Sequence, residues 1–252
     1  MTLKSPEEIK HMREGGKVLA RILRASGALA VPGATGHEID KFIESEMRKA
    51  KVRPAFLGYH PEGARAPYPA ASCISVNEVI VHGLPSDEPF REGDVVKIDT
   101  GLIYKNLYLD SAITVGVGRV SKSVRKLIQT TRAALDAGIA KARIGNTIGD
   151  IGFAISGYVA KHGFVIVQNL TGHGVGHDLH EEPTVYNFGR VGYGLPLQEG
   201  LVIAIEPMAS VSSAEAVARR DDSFVTHDGS LSVQWEHTVA ITKDGPLILT
   251  QE

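Results

Sequence analysis

Gly33-Ala34-Thr35-Gly36-His37-Glu38-Ile39 recurs 112 positions later as Gly145-Asn146-Thr147-Ile148-Gly149-Asp150-Ile151. Each copy keeps a Gly, a Thr two residues on, and an acid three beyond the Thr, which is the pattern of a capped helix start. A second pair follows in the same order. Glu92-Gly93 with Val95 and Ile98-Asp99 recurs 107 positions on as Glu199-Gly200 with Val202 and Ile205-Glu206. Common turn and cap motifs can match by chance, but two matches in one order at near-equal offsets point to an internal repeat. Each half reads as helix, Gly-x-Thr cap, helix, loop, Glu-Gly turn, then a strand ending in a carboxylate. The chain is therefore expected to be one domain, 1–252, built of two related halves at about 1–118 and 119–252, with an acid from each half at a shared seam.

The helices of each half are legible from capping and periodicity. Ser5-Pro6-Glu7-Glu8 is a capping box with Pro at the first helical position. Ile9, Met12, Leu19, Ile22 and Leu23 follow at helical spacing, although Gly15 and Gly16 argue against continuity. The stripes Ile39, Phe42, Ile43, Met47 and Val124, Leu127, Ile128, Thr131, Leu135 and Ile148, Ile151, Ile155, Val159 predict three more helices. Val95-Val96-Lys97-Ile98 and Leu201-Val202-Ile203-Ala204-Ile205 read as strands, and the Pro/Gly-rich stretches at 58–70 and 189–200 as loops.

Composition excludes several function classes. The 252 residues carry 27 Lys+Arg, 29 Asp+Glu and a net charge of −2, so no basic face is expected to bind nucleic acid electrostatically. One Cys excludes an intrachain disulfide framework and suits a reducing compartment. No apolar run approaches the ~20 residues of a membrane span, and the N-terminal residues lack a signal peptide's apolar stretch. A cytoplasmic protein is expected.

Asp99 closes an apolar run, and Asp110 follows eleven positions on, beyond a candidate turn at Tyr104-Lys105-Asn106. In an antiparallel hairpin that odd separation puts both on one face. Both could be hydrated at strand ends. Glu206 and Glu236, before the strand-like Val239-Ala240-Ile241-Thr242, bring the second half's acids to the same seam. Four carboxylates there need about two divalent cations for balance. Thr171–Pro183 adds His173, His177 and His180, three histidines in eight residues. Gly172, Gly174 and Gly176 speak against a helical zinc-protease arrangement, so the histidines are expected to serve separate tasks, His173 as the nitrogen ligand in this reading; His177 reads equally well as a surface histidine. Mostly oxygen donors with one imidazole suit Mn, Fe, Co or Zn rather than Cu(I), without choosing among them.

On Asn77-Glu78-Val79-Ile80-Val81-His82-Gly83-Leu84-Pro85, the Asp99/Asp110 pair, Gly172–Gly176 with His180-Glu181-Glu182-Pro183, Ile205-Glu206-Pro207-Met208 and Glu236-His237-Thr238, the chain resembles the type I, bacterial-type methionine aminopeptidases. Nearly the whole chain takes part. The resemblance implies an α+β pita-bread fold: a pseudo-two-fold repeat whose central antiparallel sheet is covered by two pairs of helices. It implies removal of the initiator methionine from nascent polypeptides with a small second residue, by a hydroxide activated at two divalent ions. Asp99, Asp110, His173, Glu206 and Glu236 are the implied ligands, Asp110 and Glu236 bridging and Asp99 binding with both oxygens. Glu206 is implied in proton transfer, His180 in steadying the tetrahedral intermediate, and His82 in contacting the substrate amine. Tyr59, Tyr68, Cys73 and Leu179 are the implied methionine pocket. N-terminal peptides are the implied partners, with the ribosome a candidate neighbour and no specific nucleic acid or membrane; a monomer is expected.

The chain departs from the family's pattern around the pocket. Leu179 stands where Phe is usual, Asp222 where a Trp is expected, Asn106-Leu107-Tyr108-Leu109 precedes Asp110, and His60 to Pro67 adds residues between Tyr59 and Tyr68. Two other readings compete: an Xaa-Pro peptidase of the same fold, and a non-enzymatic scaffold binding peptide or RNA.

Overall fold

The structure, a computed structural model, describes residues 2–61 and 63–252; Met1 and Glu62, which belong to the N-terminal stretch and the 60–67 loop discussed above, lie outside them. The first half runs α1 (Pro6–Gly27), α2 (Gly36–Lys49), β1 (Arg53–Pro54), β2 (Ser72–Val76), β3 (Val79–Val81), β4 (Val95–Tyr104) and β5 (Leu107–Gly116). The second runs α3 (Lys122–Ile139), α4 (Ile148–Lys161), β6 (Val165–Ile166), β7 (Gly172–Gly174), β8 (Glu181–Val185), β9 (Val202–Ile205), β10 (Met208–Ser210), β11 (Ala216–Ala218), β12 (Phe224–Thr226), β13 (Ser232–Gln234), β14 (His237–Thr242) and β15 (Gly245–Ile248).

The predicted caps form. Ser5 and Glu8 satisfy each other's orphan N–H groups at the start of α1, and Thr35 with Glu38 does the same for α2. The repeat extends to a detail outside the helices: Thr35 bridges Pro89, and Thr147 bridges Pro196. Each helix pair is thus stitched to the loop that leads into its own half's carboxylate strand. Gly15 and Gly16 do not interrupt α1. A Cβ on Gly15 would lie 2.7 Å from Leu109 Cδ1 and 2.8 Å from Tyr104 Cβ, and one on Gly16 would strike the Leu249 carbonyl. The glycines let α1 lie directly on the strands, which offsets their ~1 kcal/mol helix cost each.

Among the described residues all strand pairing is antiparallel. One sheet joins β1, β4, β2 and β5; another has the order β15-β14-β9-β7-β8; two three-stranded sheets complete the layer. The two larger sheets meet where the end of β13 and the segment after it lie along β5. There Glu236 N–H donates to Ala112 O at 3.0 Å, and Thr114 Oγ1 donates to Gln234 O at 2.5 Å.

Strand alternation divides β4 into two faces. Val96, Ile98 and Leu102 join the core under α1 and α2, whereas Lys97 and Asp99 point the other way, toward the second half. In β9, Ile203 and Ile205 pack into the core under α3 and α4, leaving Glu206 on the inner side. Both faces of these strands are covered, which is why they read as unbroken apolar runs rather than alternating ones. No helix among the described residues is long and apolar enough to cross a membrane.

Candidate metal and substrate site

Asp99 sits mid-strand in β4 rather than at a strand end, opposite Cys73 of β2 and Ala112 of β5. The hairpin register pairs Gly101 with Asp110, so the two aspartates are diagonal neighbours on one face, and Lys105 and Asn106 form its turn with φ of 51° and 63°. Glu206 follows β9 directly, and Glu236 lies just before β14, beside β5. All four carboxylates are nearly sealed from solvent: Asp99 is 7%, Asp110 4%, Glu206 8% and Glu236 1% exposed.

His173 is the central residue of β7. Its Nδ1 lies 2.9 Å from the Gly174 carbonyl, which fixes the proton there and turns the Nε2 lone pair inward. Nε2 is 3.7 Å from Glu206 Oε1 and 4.0 Å from Asp110 Oδ2. Burial pushes the His173 pKa down to about 4, so these contacts involve a neutral imidazole and are not an ion pair. Asp110, His173 and Glu236 each offer a ligand atom, all within 4.8 Å of one another. Asp99 joins through Gln234, whose amide Nε2 reaches Glu206 Oε2 at 3.2 Å and Asp99 Oδ2 at 3.5 Å.

The electrostatics show what this cluster is suited to hold. Burial, and then mutual repulsion, raises Asp99, Glu206 and Glu236 well above the usual carboxylate range. Asp110 is pushed up by burial to about 7. Asp99 Oδ1, Asp110 Oδ1 and Glu236 Oε1 are buried without a hydrogen-bond partner. Such groups are costly unless protonated or coordinated. Oxygen donors plus one imidazole fit a divalent metal of the Mn, Fe, Co or Zn type.

The supporting contacts come from both halves. Ser111 Oγ donates to the Glu236 carbonyl at 2.8 Å, and Asn187 Nδ2 to the Glu206 carbonyl at 2.9 Å. These bonds fix the backbone beneath the carboxylates, as ligand-orienting contacts must.

The carboxylates floor a cavity of about 370 Å³. Tyr59, Tyr68, Cys73 and Leu179 line it, with Phe56, and all five belong to one apolar cluster. His180 flanks the floor, its ring 4.4 Å from that of His173 and its Nδ1 2.7 Å from the Tyr59 hydroxyl. Burial takes its pKa down to about 3. His82, at a left-handed φ of 59°, is also held neutral by burial and sets its ring edge-on to Phe224 at 5.7 Å. His177 does not line this cavity; its Nε2 pairs with Glu8 at 2.7 Å near the surface. The surface reading of His177 is therefore the one realised.

Sequence reasoning missed Gln234, Phe56 and Lys97. Gln234 and Lys97 each stand two positions before a predicted carboxylate, so period-2 alternation could have found them. Lys97 is fully buried and donates to Asn77 O at 2.7 Å and Ser232 O at 3.2 Å, tying the first half to the second behind the site.

The sequence pattern of metallopeptidase family M24 matches residues 10–243. The methionine aminopeptidase of Aquifex aeolicus is 44% identical over 253 residues, covering 99% of this chain and 98% of that one. The crystal structure of the methionine aminopeptidase from Thermotoga maritima has a TM-score of 0.95 and 39% identity, with 100% of both chains covered. The prolidase of Pyrococcus horikoshii shares the fold at a TM-score of 0.76 and 25% identity, but 99% of this chain spans only 64% of that one.

Proposed function

From the premise that this chain belongs to metallopeptidase family M24, among the methionine aminopeptidases, we propose that Asp99, Asp110, His173, Glu206 and Glu236 hold two divalent ions at the floor of the cavity. The observation that carries this reading is that Asp99, Asp110 and Glu236 each keep a buried, unpartnered carboxylate oxygen in the same cluster as the neutral His173, whose Nε2 lies 3.7 Å from Glu206 Oε1 and 4.0 Å from Asp110 Oδ2. Divalent metal in such a donor set supplies Lewis acidity, which acidifies water and polarises a peptide carbonyl.

The chain's own groups perform the remaining tasks. Glu206, held at Oε2 by Gln234, takes a proton from the attacking water and returns it to the departing amine. His180 is neutral; with Nδ1 accepting from the Tyr59 hydroxyl, its Nε2–H is free to donate to the substrate carbonyl as negative charge develops there. His82, which also lines the cavity, contacts the substrate amine. The apolar cluster of Phe56, Tyr59, Tyr68, Cys73 and Leu179 receives the methionine side chain. In this reading residues 1–252 are one catalytic domain of two related halves. It acts as a cytoplasmic monomer on the N-termini of nascent polypeptides with a small second residue, at or near the ribosome.

The test is a peptide panel on protein stripped by chelation and reloaded with Mn, Fe, Co or Zn. Met-Ala-Ser is expected to be cleaved with about two ions bound per chain, and Ala-Pro-Ser slowly or not at all. Faster cleavage of Ala-Pro-Ser would move the protein to the Xaa-Pro peptidases, and failure to bind metal would leave only a peptide-binding scaffold.

A further inference from the structure

Two of the chain's departures around the pocket touch each other. The segment between Tyr59 and Tyr68 is closed at its base by Tyr68 N–H donating to Tyr59 O at 2.8 Å and Gly58 N–H to Tyr68 O at 2.8 Å. Within it, Ala64 N–H donates to Pro61 O, and His60 Nε2 lies 3.1 Å from Ala64 O. Among the described residues, every hydrogen bond that leaves its tip runs from Arg65. The Arg65 N–H donates to Asp222 Oδ2 at 3.1 Å, its Nη1 to Arg220 O at 3.3 Å, and its Nε lies 3.5 Å from Asp222 Oδ1.

Asp222 belongs to the tight turn between β11 and β12, at a left-handed φ of 63°. The turn is fixed by Arg219 N–H donating to Ser223 O at 2.7 Å, and the Asp222 backbone carbonyl faces the His82 ring. Arg65, Ala66 and Pro67 form one rim of the cavity, and Arg220, Asp221 and Asp222 the other. Two segments from opposite halves thus meet across the mouth of the apolar pocket.

We propose that the Arg65–Asp222 clasp sets the size limit of the first substrate residue by closing the mouth of the Phe56/Tyr59/Tyr68/Cys73/Leu179 pocket. Resting on the aminopeptidase assignment above, this makes the pair a specificity determinant of the same site. Both tyrosines are anchored at their hydroxyls, Tyr59 to His180 and Tyr68 to Ser72 O and Gly83 O. The pocket walls therefore keep their own anchors when the clasp is released, and the change falls on Arg65, Ala66 and Pro67 at the rim. The ion pair alone is weak, since the Arg65 and Asp222 side chains are 65% and 44% exposed. The carboxylate's bond to the Arg65 backbone N–H makes Asp222 the stronger partner.

That asymmetry defines the experiment. Asp222→Gly removes the carboxylate without straining the left-handed turn, whereas Asp222→Asn keeps an acceptor for the Arg65 N–H. In Asp222→Gly, the kcat/KM ratio of Leu-Ala-Ser or Phe-Ala-Ser to Met-Ala-Ser is expected to rise about tenfold or more, mainly through KM. Arg65→Ala is expected to raise it less, and Asp222→Asn least. Hydrogen exchange at residues 64–66 should rise in the same order. An unchanged ratio in Asp222→Gly, or one equal fall in kcat for all peptides through His82, would overturn the proposal. If wild type fails to cleave Met-Ala-Ser, the function fails; if wild type cleaves it and the ratios do not move, only the clasp does.

Discussion

Thr238 holds the backbone of Asp110 from both sides. Its Oγ1 accepts from the Asp110 N–H at 3.1 Å and donates to the Asp110 carbonyl at 2.7 Å, joining residues 128 positions apart. A single buried hydroxyl thus fixes the placement of a carboxylate of the first half against the strand that follows Glu236. Thr238→Val keeps the shape but strands a buried donor and an acceptor. It is expected to lower stability by about 1–3 kcal/mol and to weaken metal binding by about tenfold or more. Thermal melts with and without metal, and a metal titration, measure the two effects. A variant that loses stability but binds metal normally would show that Thr238 does not position Asp110.

The carboxylate cluster gives the metal-free protein an inverted pH response. Asp110 binds a proton in the folded chain up to about 7, but in the unfolded chain only up to its ordinary 3.8. Between those values the folded state holds more protons, so stability is fully present below the lower value and is lost as pH rises through the upper one. Asp99, Glu206 and Glu236 are raised in the same direction and extend the loss upward. The neutral His173 and His180 act in the opposite sense below their ordinary 6.5, so melts of chelated protein are expected to fall from about pH 6.5 to about pH 8, and saturating divalent metal to abolish or reverse the fall. A chelated protein equally stable at both would contradict it.

Asp110→Asn separates these roles. Replacing one of four crowded carboxylates relieves repulsion, so the metal-free variant is expected to melt at or above the wild-type temperature at neutral pH. Activity should be abolished through loss of a metal ligand. Full turnover in the variant would contradict the two-ion reading.

His180→Ala is expected to lower kcat by about 10²-fold or more while leaving metal content unchanged. Tyr59→Phe removes the hydroxyl 2.7 Å from His180 Nδ1 and should lower kcat by a smaller factor, about tenfold, without loss of folding. Steady-state kinetics beside metal analysis distinguish the two residues' roles; metal loss in His180→Ala would make His180 a ligand.

Part of this candidate site is legible in the sequence because its acids follow local periodicities, whereas His82, His180 and the pocket residues were implied by the family resemblance. The odd Asp99–Asp110 separation put both acids on one face, and the repeat aligned Glu206 with Asp99. The glycines around His173 excluded a helix. Gln234 and Lys97 were not singled out, because an amide or an ammonium in an apolar strand takes its meaning only from what stands opposite. The α1 glycines read as weak points for the same reason: in isolation Gly15 and Gly16 weaken a helix, and only Tyr104, Leu109 and Leu249 show that they allow contact.

The sequence by itself determined the paired halves, the helix caps and the pairing of acids at a shared seam, since capping, strand alternation and turn chemistry act over a few residues, while the roles of His82 and His180 rested on the family resemblance. The tertiary structure decided which acids meet, that Gln234 spans two of them, that His177 turns away to Glu8, and that Arg65 reaches Asp222. Those outcomes depend on burial and on contacts between segments more than a hundred positions apart, where packing against the other half selects the partner.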